Sequence, residues 1–132
     1  MRVLLADDSD LILERLQDMV SACGQVETVG SYDNGIDALE ALRTLKPDLA
    51  IVDIVMPGLS GLEVLNKIRK EDKKIKFILL TFYSTDYYRD LAICNGADYF
   101  FSKADGFEEL SLVVKELAQK EGNLNSMKAA SL

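Results

Sequence analysis

Short apolar runs recur along the chain and predict five strands, which begin near residues 2, 26, 49, 76 and 98. Most of these runs are unbroken, as in parallel strands that are covered on both faces. The second run, from 26 to 31, is more polar, which is typical of a strand at the edge of a sheet. A helical pattern follows each run. This alternation predicts an α/β domain with a doubly wound, five-stranded parallel sheet and helices on both faces.

The segments between the runs carry apolar residues at helical spacing, together with signals for helix ends. Asn34 is placed to cap the second helix, and Pro47 ends it because proline cannot continue the helical hydrogen-bond ladder. Ser60 and Glu63 match a capping box, so the third helix should begin directly after the Met-Pro-Gly turn. Gly96 suits a left-handed cap at the end of a short fourth helix.

The carboxyl-terminal part of the chain sets the expected domain boundary. The fifth helix should begin at about Phe107, and the chain from Gly122 onward has no convincing amphipathic face. We therefore expect residues 1–121 to form the domain and residues 122–132 to form a short, frayed tail. The sequence shows no internal linker, repeat or low-complexity segment, so a single domain is predicted.

Four of the predicted strands end in polar side chains that can carry chemistry. Asp7 and Asp8 follow the first strand, Asp53 the third, Thr81 the fourth and Lys103 the fifth. Each residue alone has an ordinary interpretation, such as an acid at a helix start or a lysine on the surface. In a parallel sheet these strand ends share one edge, which is where ligands bind in open α/β sheets. We therefore expect one site that contains all five residues.

The residue types at this edge indicate the chemistry of the site. Three carboxylates close together repel one another and resist ionisation, and a divalent cation resolves the conflict. Oxygen ligands favour Mg²⁺, or Mn²⁺ in its place. A lysine and a hydroxyl opposite the cation form a cradle for an anion. A metal, a lysine and a carboxylate nucleophile together indicate phosphoryl transfer through an aspartyl phosphate.

Composition excludes several other classes of function. The chain of 132 residues has a net charge of −7, which disfavours direct binding to nucleic acid or to an anionic membrane. No apolar run approaches the ~20 residues of a membrane span, and the start lacks a signal-peptide pattern, so a cytoplasmic protein is expected. The sequence has no histidine, which excludes Ser-His-Asp and Cys-His nucleophile systems. Cys23 and Cys94 are expected to be buried free thiols.

These motifs resemble the receiver domain of two-component response regulators, the family of the chemotaxis receiver. The resemblance covers the chain to about Glu121 and implies the flavodoxin-like strand order 2-1-3-4-5. It rests on five motifs in the same order as in the family: Asp7-Asp8, Asp53 with Met56-Pro57-Gly58 and Gly61, Thr81, Gly96-Ala97-Asp98, and Lys103. The match implies a signalling phosphoacceptor and not an enzyme that turns over a substrate, apart from the chemistry of its own phosphorylation and dephosphorylation.

The resemblance also implies a role for each residue of the metal site. Asp53 would be the phosphorylated residue. Asp8 would be a direct ligand of Mg²⁺ and Asp7 would act more through water. Asp53 and the backbone carbonyl of Val55 would complete the ligands supplied by the protein, and no organic cofactor is implied.

Thr81 and Phe100 correspond to the family's switch pair, and Lys103 would pair with the phosphoryl charge. Phe100 stands where the family more often has tyrosine. Because it has no hydroxyl group, we expect its inward orientation to be favoured even without phosphate.

Two residues depart from the family pattern. Ala104 stands where the family often has proline, so a trans peptide bond is expected before it. The bulky Phe82 follows Thr81 where the family usually has a small residue, and this predicts slower phosphorylation.

The implied partners are a histidine kinase or a histidine phosphotransfer protein, which must donate in trans because this chain has no histidine. A downstream protein or a second copy is expected on the face formed by helix 4, strand 5 and helix 5.

An unphosphorylated interaction module with the same fold remains an alternative. A phosphatase of the haloacid-dehalogenase type would need an acid at Val55, and a flavodoxin would need Ser, Thr and Gly in place of Asp7-Asp8.

Overall fold

The structure of the protein, a computed structural model, describes residues 1–83 and 85–130, with side chains as far as Glu121. Strands and helices alternate along it. The strands are β1 (Arg2–Ala6), β2 (Glu27–Tyr32), β3 (Leu49–Asp53), β4 (Lys76–Thr81) and β5 (Tyr99–Ser102). The helices are α1 (Asp10–Ser21), α2 (Gly35–Leu45), α3 (Gly61–Arg69), α4 (Asp86–Cys94) and α5 (Phe107–Ala130). Across the described residues, no helix is both long enough and apolar enough to cross a membrane.

All five strands are parallel and form one sheet in the order β2-β1-β3-β4-β5. The predicted fold and strand order are therefore confirmed. β3 lies at the centre, and all five of its residues are buried, which explains why its sequence is apolar up to its last residue, Asp53. The more polar β2 lies at one edge, as its sequence predicts.

The core has two layers because successive strand residues point to opposite faces of the sheet. Ala50 and Val52 of β3 belong to the layer that includes residues of α2, α3 and α4. Leu49 and Ile51 of the same strand belong to the layer that includes residues of α1 and α5. The sheet is thus covered on both faces, and its strand ends stay open for a site.

The helix ends follow the local signals in the sequence. The side chain of Asn34 accepts a hydrogen bond from the Asp37 amide at 2.9 Å. At the start of α3 the amide of Glu63 donates to the Ser60 hydroxyl at 3.1 Å, and the amide of Ser60 donates to the Glu63 carboxylate at 3.2 Å. Gly96 has a φ of 97°, as a left-handed cap requires. The predicted caps are confirmed.

Helix α5 continues past Gly122 to Ala130, through the segment for which a frayed tail is predicted. One glycine within a helix costs only about 1 kcal/mol relative to alanine, and no proline follows it to stop the helix. The division between domain and tail at residue 121 remains a prediction.

Both cysteines are free thiols, as expected, but only one is buried. Cys23 packs in the layer with α1 and α5. Cys94 is exposed because the short α4 buries only Ala92 against the sheet. The expectation that both thiols are buried is therefore wrong for Cys94.

Candidate functional site

The carboxyl ends of four parallel strands bring the predicted site residues together at one edge of the sheet. Asp7, Asp53, Thr81 and Lys103 are between 0% and 4% exposed. In the described part of the chain, these four are the only buried residues with polar or charged side chains. Burying charged groups is costly unless they are paired, so a cluster of this kind is a strong indication of function.

Lys103 lies between two acids. Its Nζ is 2.5 Å from Oδ2 of Asp7 and 2.9 Å from Oδ2 of Asp53. The backbone amide of Lys103 donates to the carbonyl of Thr81 at 2.9 Å, which holds the start of the β5–α5 loop against the end of β4. One buried ammonium therefore serves two buried carboxylates, and the group as a whole keeps a negative charge.

The electrostatics of the two acids reflect this shortage of positive charge. Burial has the largest effect on the pKa of Asp53 and, together with the charge of the neighbouring Asp7, raises it to about 6. Lys103 and the amide of Val55 oppose this rise. Burial likewise raises the pKa of Asp7, although the adjacent ammonium of Lys103 opposes the shift. Both acids would be easier to ionise if another cation were close to them.

The acids also fit a divalent cation. Asp7, Asp8 and Asp53 each offer a carboxylate oxygen, and these three oxygens lie within 4.8 Å of one another. Oδ2 of Asp7 is buried and, within the described residues, has no hydrogen-bond partner, although the Lys103 ammonium lies at ion-pair distance. The ammonium is close enough for charge attraction, but it does not satisfy the oxygen directionally. Hard oxygen donors with one incompletely satisfied oxygen are suited to Mg²⁺.

The turn after β3 holds the Asp53 carboxylate in place. The amide of Val55 donates to Oδ1 of Asp53 at 3.2 Å. The amide of Gly61, the first residue of α3, donates to the carbonyl of Ile54 at 2.8 Å. A Cβ atom on Gly61 would overlap the carbonyl oxygen of Asp53, so only glycine permits this approach. The sequence shows Gly61 beside the capping Ser60, but its contact with the site is visible only in the structure.

The two predicted switch residues lie on the neighbouring strands β4 and β5. The hydroxyl of Thr81 accepts a hydrogen bond from the amide of Tyr83 at 2.9 Å, a contact that sequence reasoning missed. Phe100 is 7% exposed and packs in the core, and the guanidinium carbon of Arg89 lies 5.1 Å from the centre of its ring. Phe100 is thus oriented inward, as its lack of a hydroxyl group predicts, while its role in switching remains a prediction.

The two departures from the family pattern also lie at this edge. Phe82 is 60% exposed, and its ring centre lies 5.2 Å from Nζ of Lys103. The described residues contain no cis peptide bond, so the bond before Ala104 is trans, as expected. The amide of Ala104 donates to the hydroxyl of Ser102 at 3.2 Å.

Comparison with known proteins identifies relatives over nearly the whole chain. The profile of the response regulator receiver domain matches residues 3–115. Response regulator GacA of Pseudomonas aeruginosa is 31% identical over 116 residues, which cover 88% of this chain and 54% of GacA. A protein-glutamate methylesterase/protein-glutamine glutaminase of Methanospirillum hungatei is 36% identical over 125 residues, which cover 93% of this chain and 36% of that protein. The chain therefore spans about half the length, or less, of these curated relatives.

Solved structures show the same likeness. The signal receiver domain of a NarL response regulator from Mycobacterium tuberculosis has a TM-score of 0.82 at 30% identity, covering 89% of this chain and 95% of that chain. The response regulator domain of CheB from Thermotoga maritima has a TM-score of 0.80 at 28% identity, covering 91% of this chain and 94% of that chain. With the strand order and the acid cluster already described, these matches show that the chain belongs to the response regulator receiver domain family of two-component systems.

Proposed function

We propose that Asp53 accepts a phosphoryl group from a histidine-bearing donor protein and that this modification changes which partner the domain binds. The observation that carries the proposal is the Asp53 carboxylate itself, which is buried at the strand edge and shares the Lys103 ammonium with Asp7. A carboxylate held beside a lysine and two further acids is equipped for phosphoryl transfer and has no evident structural purpose.

In this proposal each residue has a separate task. An oxygen of Asp53 attacks the phosphorus, and the bond between phosphorus and the donor's imidazole nitrogen breaks. Lys103, already paired with Asp53, compensates the charge that arrives on the phosphoryl oxygens. Thr81 donates its hydroxyl hydrogen to one of these oxygens, because the bond to the Tyr83 amide uses the hydroxyl oxygen only as an acceptor.

The cation belongs to the same proposal. Asp8, Asp53 and the carbonyl of Val55 would hold Mg²⁺ or Mn²⁺ directly, and Asp7 would hold it through water. When bound, the ion would supply positive charge that offsets the acids and stabilises the transferring group. The support is the set of three carboxylate oxygens within 4.8 Å of one another.

The histidine of the proposed donor must lie outside residues 1–132, because these residues include none. A histidine kinase or a histidine phosphotransfer protein has the required chemistry.

The methylesterase activity named for the Methanospirillum relative is a property of that whole protein, of which this chain covers 36%. For the receiver domain itself we propose the role of a signalling phosphoacceptor and not that of a turnover enzyme.

The proposed output surface is the face formed by α4, β5 and α5. It contains a groove of about 520 Å³, whose lining includes Arg89, Phe100, Asp105 and Glu109. The groove reaches from the buried ring of Phe100 to charged residues at the surface. Because Phe100 is one of the residues that line the groove, a change in the orientation of its ring would reshape the surface that a downstream protein or a second copy contacts.

The test is intact-mass analysis after incubation with acetyl phosphate and Mg²⁺. We expect the wild type to gain one phosphoryl group and Asp53→Asn to gain none. Asp33→Asn is the matched control, because Asp33 is an exposed acid just after the end of β2 at the same edge, and it should label like the wild type. Equal labelling of wild type and Asp53→Asn, or no labelling of either after prolonged exposure, would contradict the proposal and favour an unphosphorylated interaction module.

A further inference from the structure

The connection between β2 and α2 is bonded to both loops that carry the clustered acids, although none of these acids belongs to it. The amide of Asp7, just after β1, donates to the carbonyl of Tyr32, the last residue of β2, at 3.0 Å. The amide of Gly35, the first residue of α2, donates to the carbonyl of Pro57 in the β3–α3 loop at 3.0 Å. The two loops are therefore linked to each other through the backbone of this connection.

The start of α2 also packs closely against the β3–α3 loop. Gly35 is buried, and a Cβ atom on it would overlap the carbonyl oxygen of Leu59. The side chain of Ile36 lies beside Gly58, where a Cβ atom would meet it at 3.0 Å. The first amides of a helix have no partner within the helix, and the carbonyl of Pro57 satisfies the amide of Gly35. Contacts with α2 thus extend over three consecutive loop residues, 57–59.

This loop contains the groups that the proposed cation site takes from β3 and its end. Asp53 precedes the loop, and the amide of Val55 donates to Oδ1 of Asp53 at 3.2 Å. Val55 is separated from Pro57 by one residue, so a shift of residues 57–59 would be transmitted to the Val55 carbonyl. Mg²⁺ requires nearly ideal octahedral geometry, and groups behind the ligands commonly determine whether it is met.

We propose that Gly35 is a positioning residue of the phosphoacceptor site. Its backbone holds the β3–α3 loop at the distance from the β1–α1 loop that a bound divalent cation requires, without contact to the cation itself. This inference rests on the proposed function, because the ligands are those proposed above. Ile36 has a related purpose: it is 58% exposed, yet its side chain supports Gly58 in the same loop.

The first test is calorimetric titration with Mg²⁺, at a temperature where melting curves show each variant to be folded. Gly35→Ala should bind Mg²⁺ about tenfold more weakly than the wild type, because the added methyl group displaces the carbonyl of Leu59. Ala41→Gly is the matched control. It weakens the same helix at a later position and leaves the contacts with the loop in place, so its affinity should equal that of the wild type.

A second pair of variants tests the same loop without a steric clash. Ile36→Ala should weaken Mg²⁺ binding by about two- to fivefold, while Ile36→Leu should bind like the wild type because it keeps the apolar bulk beside Gly58. Ile36→Ala should melt within a few degrees of the wild type, since the side chain is largely exposed. Leu112→Ala removes a similarly exposed side chain from α5 and is the control for non-specific effects.

Amide chemical shifts of the metal-free proteins provide a readout that loss of stability alone would not change. Gly35→Ala and Ile36→Ala should shift the amide resonances of residues 54–59. Ala41→Gly and Leu112→Ala should leave these resonances where they are in the wild type. This measurement needs neither the cation nor a phosphodonor.

The outcomes separate this inference from the proposed function. If the wild type binds Mg²⁺ and labels on Asp53, but Gly35→Ala and Ile36→Ala bind Mg²⁺ equally well, the positioning role is contradicted and the phosphoacceptor stands. The role is also contradicted if Ala41→Gly weakens binding as much as Gly35→Ala, since loss of helix stability would then explain both. If Gly35→Ala does not fold, the affinity of Ile36→Ala decides. If the wild type neither binds Mg²⁺ nor labels, the proposed function fails and the positioning role fails with it.

Discussion

The sharing of Lys103 between Asp7 and Asp53 is the central feature of the molecule at the scale of single residues. One ammonium cannot fully compensate two buried carboxylates and the exposed Asp8 beside them. We therefore expect the site to be under electrostatic strain when no cation is bound, with a cost in stability. This strain should be measurable.

The pKa of Asp53 predicts how stability depends on pH. In the folded state it is raised from its ordinary value of 3.8 to about 6, so the folded protein holds a proton that the unfolded chain releases. Between these values stability should fall as pH rises. Asp53→Asn lacks this titration and should be more stable than the wild type at pH 7 by roughly 1 to 3 kcal/mol, a difference that shrinks toward pH 4.

Urea unfolding of the two proteins without divalent cations, at several values of pH, measures this difference. The raised pKa of Asp7 acts in both proteins and largely cancels in the comparison. Added Mg²⁺ at pH 7 should stabilise the wild type more than Asp53→Asn. An advantage of Asp53→Asn that is the same at every pH would show that the Asp53 carboxylate is not strained.

Sequence reasoning predicted which side chains lie together at the strand ends, but not the contacts between them. Asp53, Thr81 and Lys103 stand out because each follows an apolar run and parallel strands end at one edge. The sharing of Lys103 and the stacking of Phe82 on it depend on side-chain orientations across strands. No periodicity of the sequence encodes these orientations.

At the scale of elements, the junction between β3 and α3 determines where Asp53 stands. Helix α3 begins so close to the end of β3 that its first residue, Gly61, has no room for a side chain. The capping box of Ser60 and Glu63 fixes the direction in which the helix leaves. Local signals predicted both the helix and its start. They did not predict that α5 continues past Gly122 as far as Ala130.

Gly61→Ala should therefore disturb the site as well as the helix. The added methyl group would push on the Asp53 carbonyl, and overpacking of this kind costs about 1–3 kcal/mol. Ser60→Ala is the matched control, since loss of the cap costs about 1 kcal/mol without a clash at Asp53. Melting curves and the rate of labelling from acetyl phosphate, measured where both variants are folded, separate the two. The prediction fails if Gly61→Ala labels as fast as Ser60→Ala.

At the scale of the whole molecule, the site and the proposed output face are connected through β4 and β5. Thr81 ends β4, and Phe100 lies opposite Leu79 in the paired strand. Seven of the ten aromatic residues lie between positions 82 and 101. Tyr87 is 68% exposed and packs edge-on against Tyr88. An exposed aromatic cluster of this kind suits a protein interface.

Chemical-shift mapping with the phosphoryl mimic beryllofluoride and Mg²⁺ tests this connection. We expect perturbations at Asp53 that extend to Phe100, Tyr87 and Tyr88. Their range should be limited because Phe100 is already inward, so the free protein resembles the state that phosphate favours. Asp53→Asn should show no such response. Perturbations that stay around Asp53 would exclude a coupled output face.

The spread of the site along the chain has a consequence for folding. Asp7 and Lys103 stand near opposite ends of the domain, and their contact closes only when β1, β3, β4 and β5 lie side by side. A growing polypeptide therefore cannot assemble this pair until Lys103 has been synthesised and β5 has docked. Contacts between residues so distant in sequence form slowly and cooperatively. If Asp53 is phosphorylated as proposed, the complete site therefore exists only after β5 has docked, and no partly folded fragment that lacks β5 contains it.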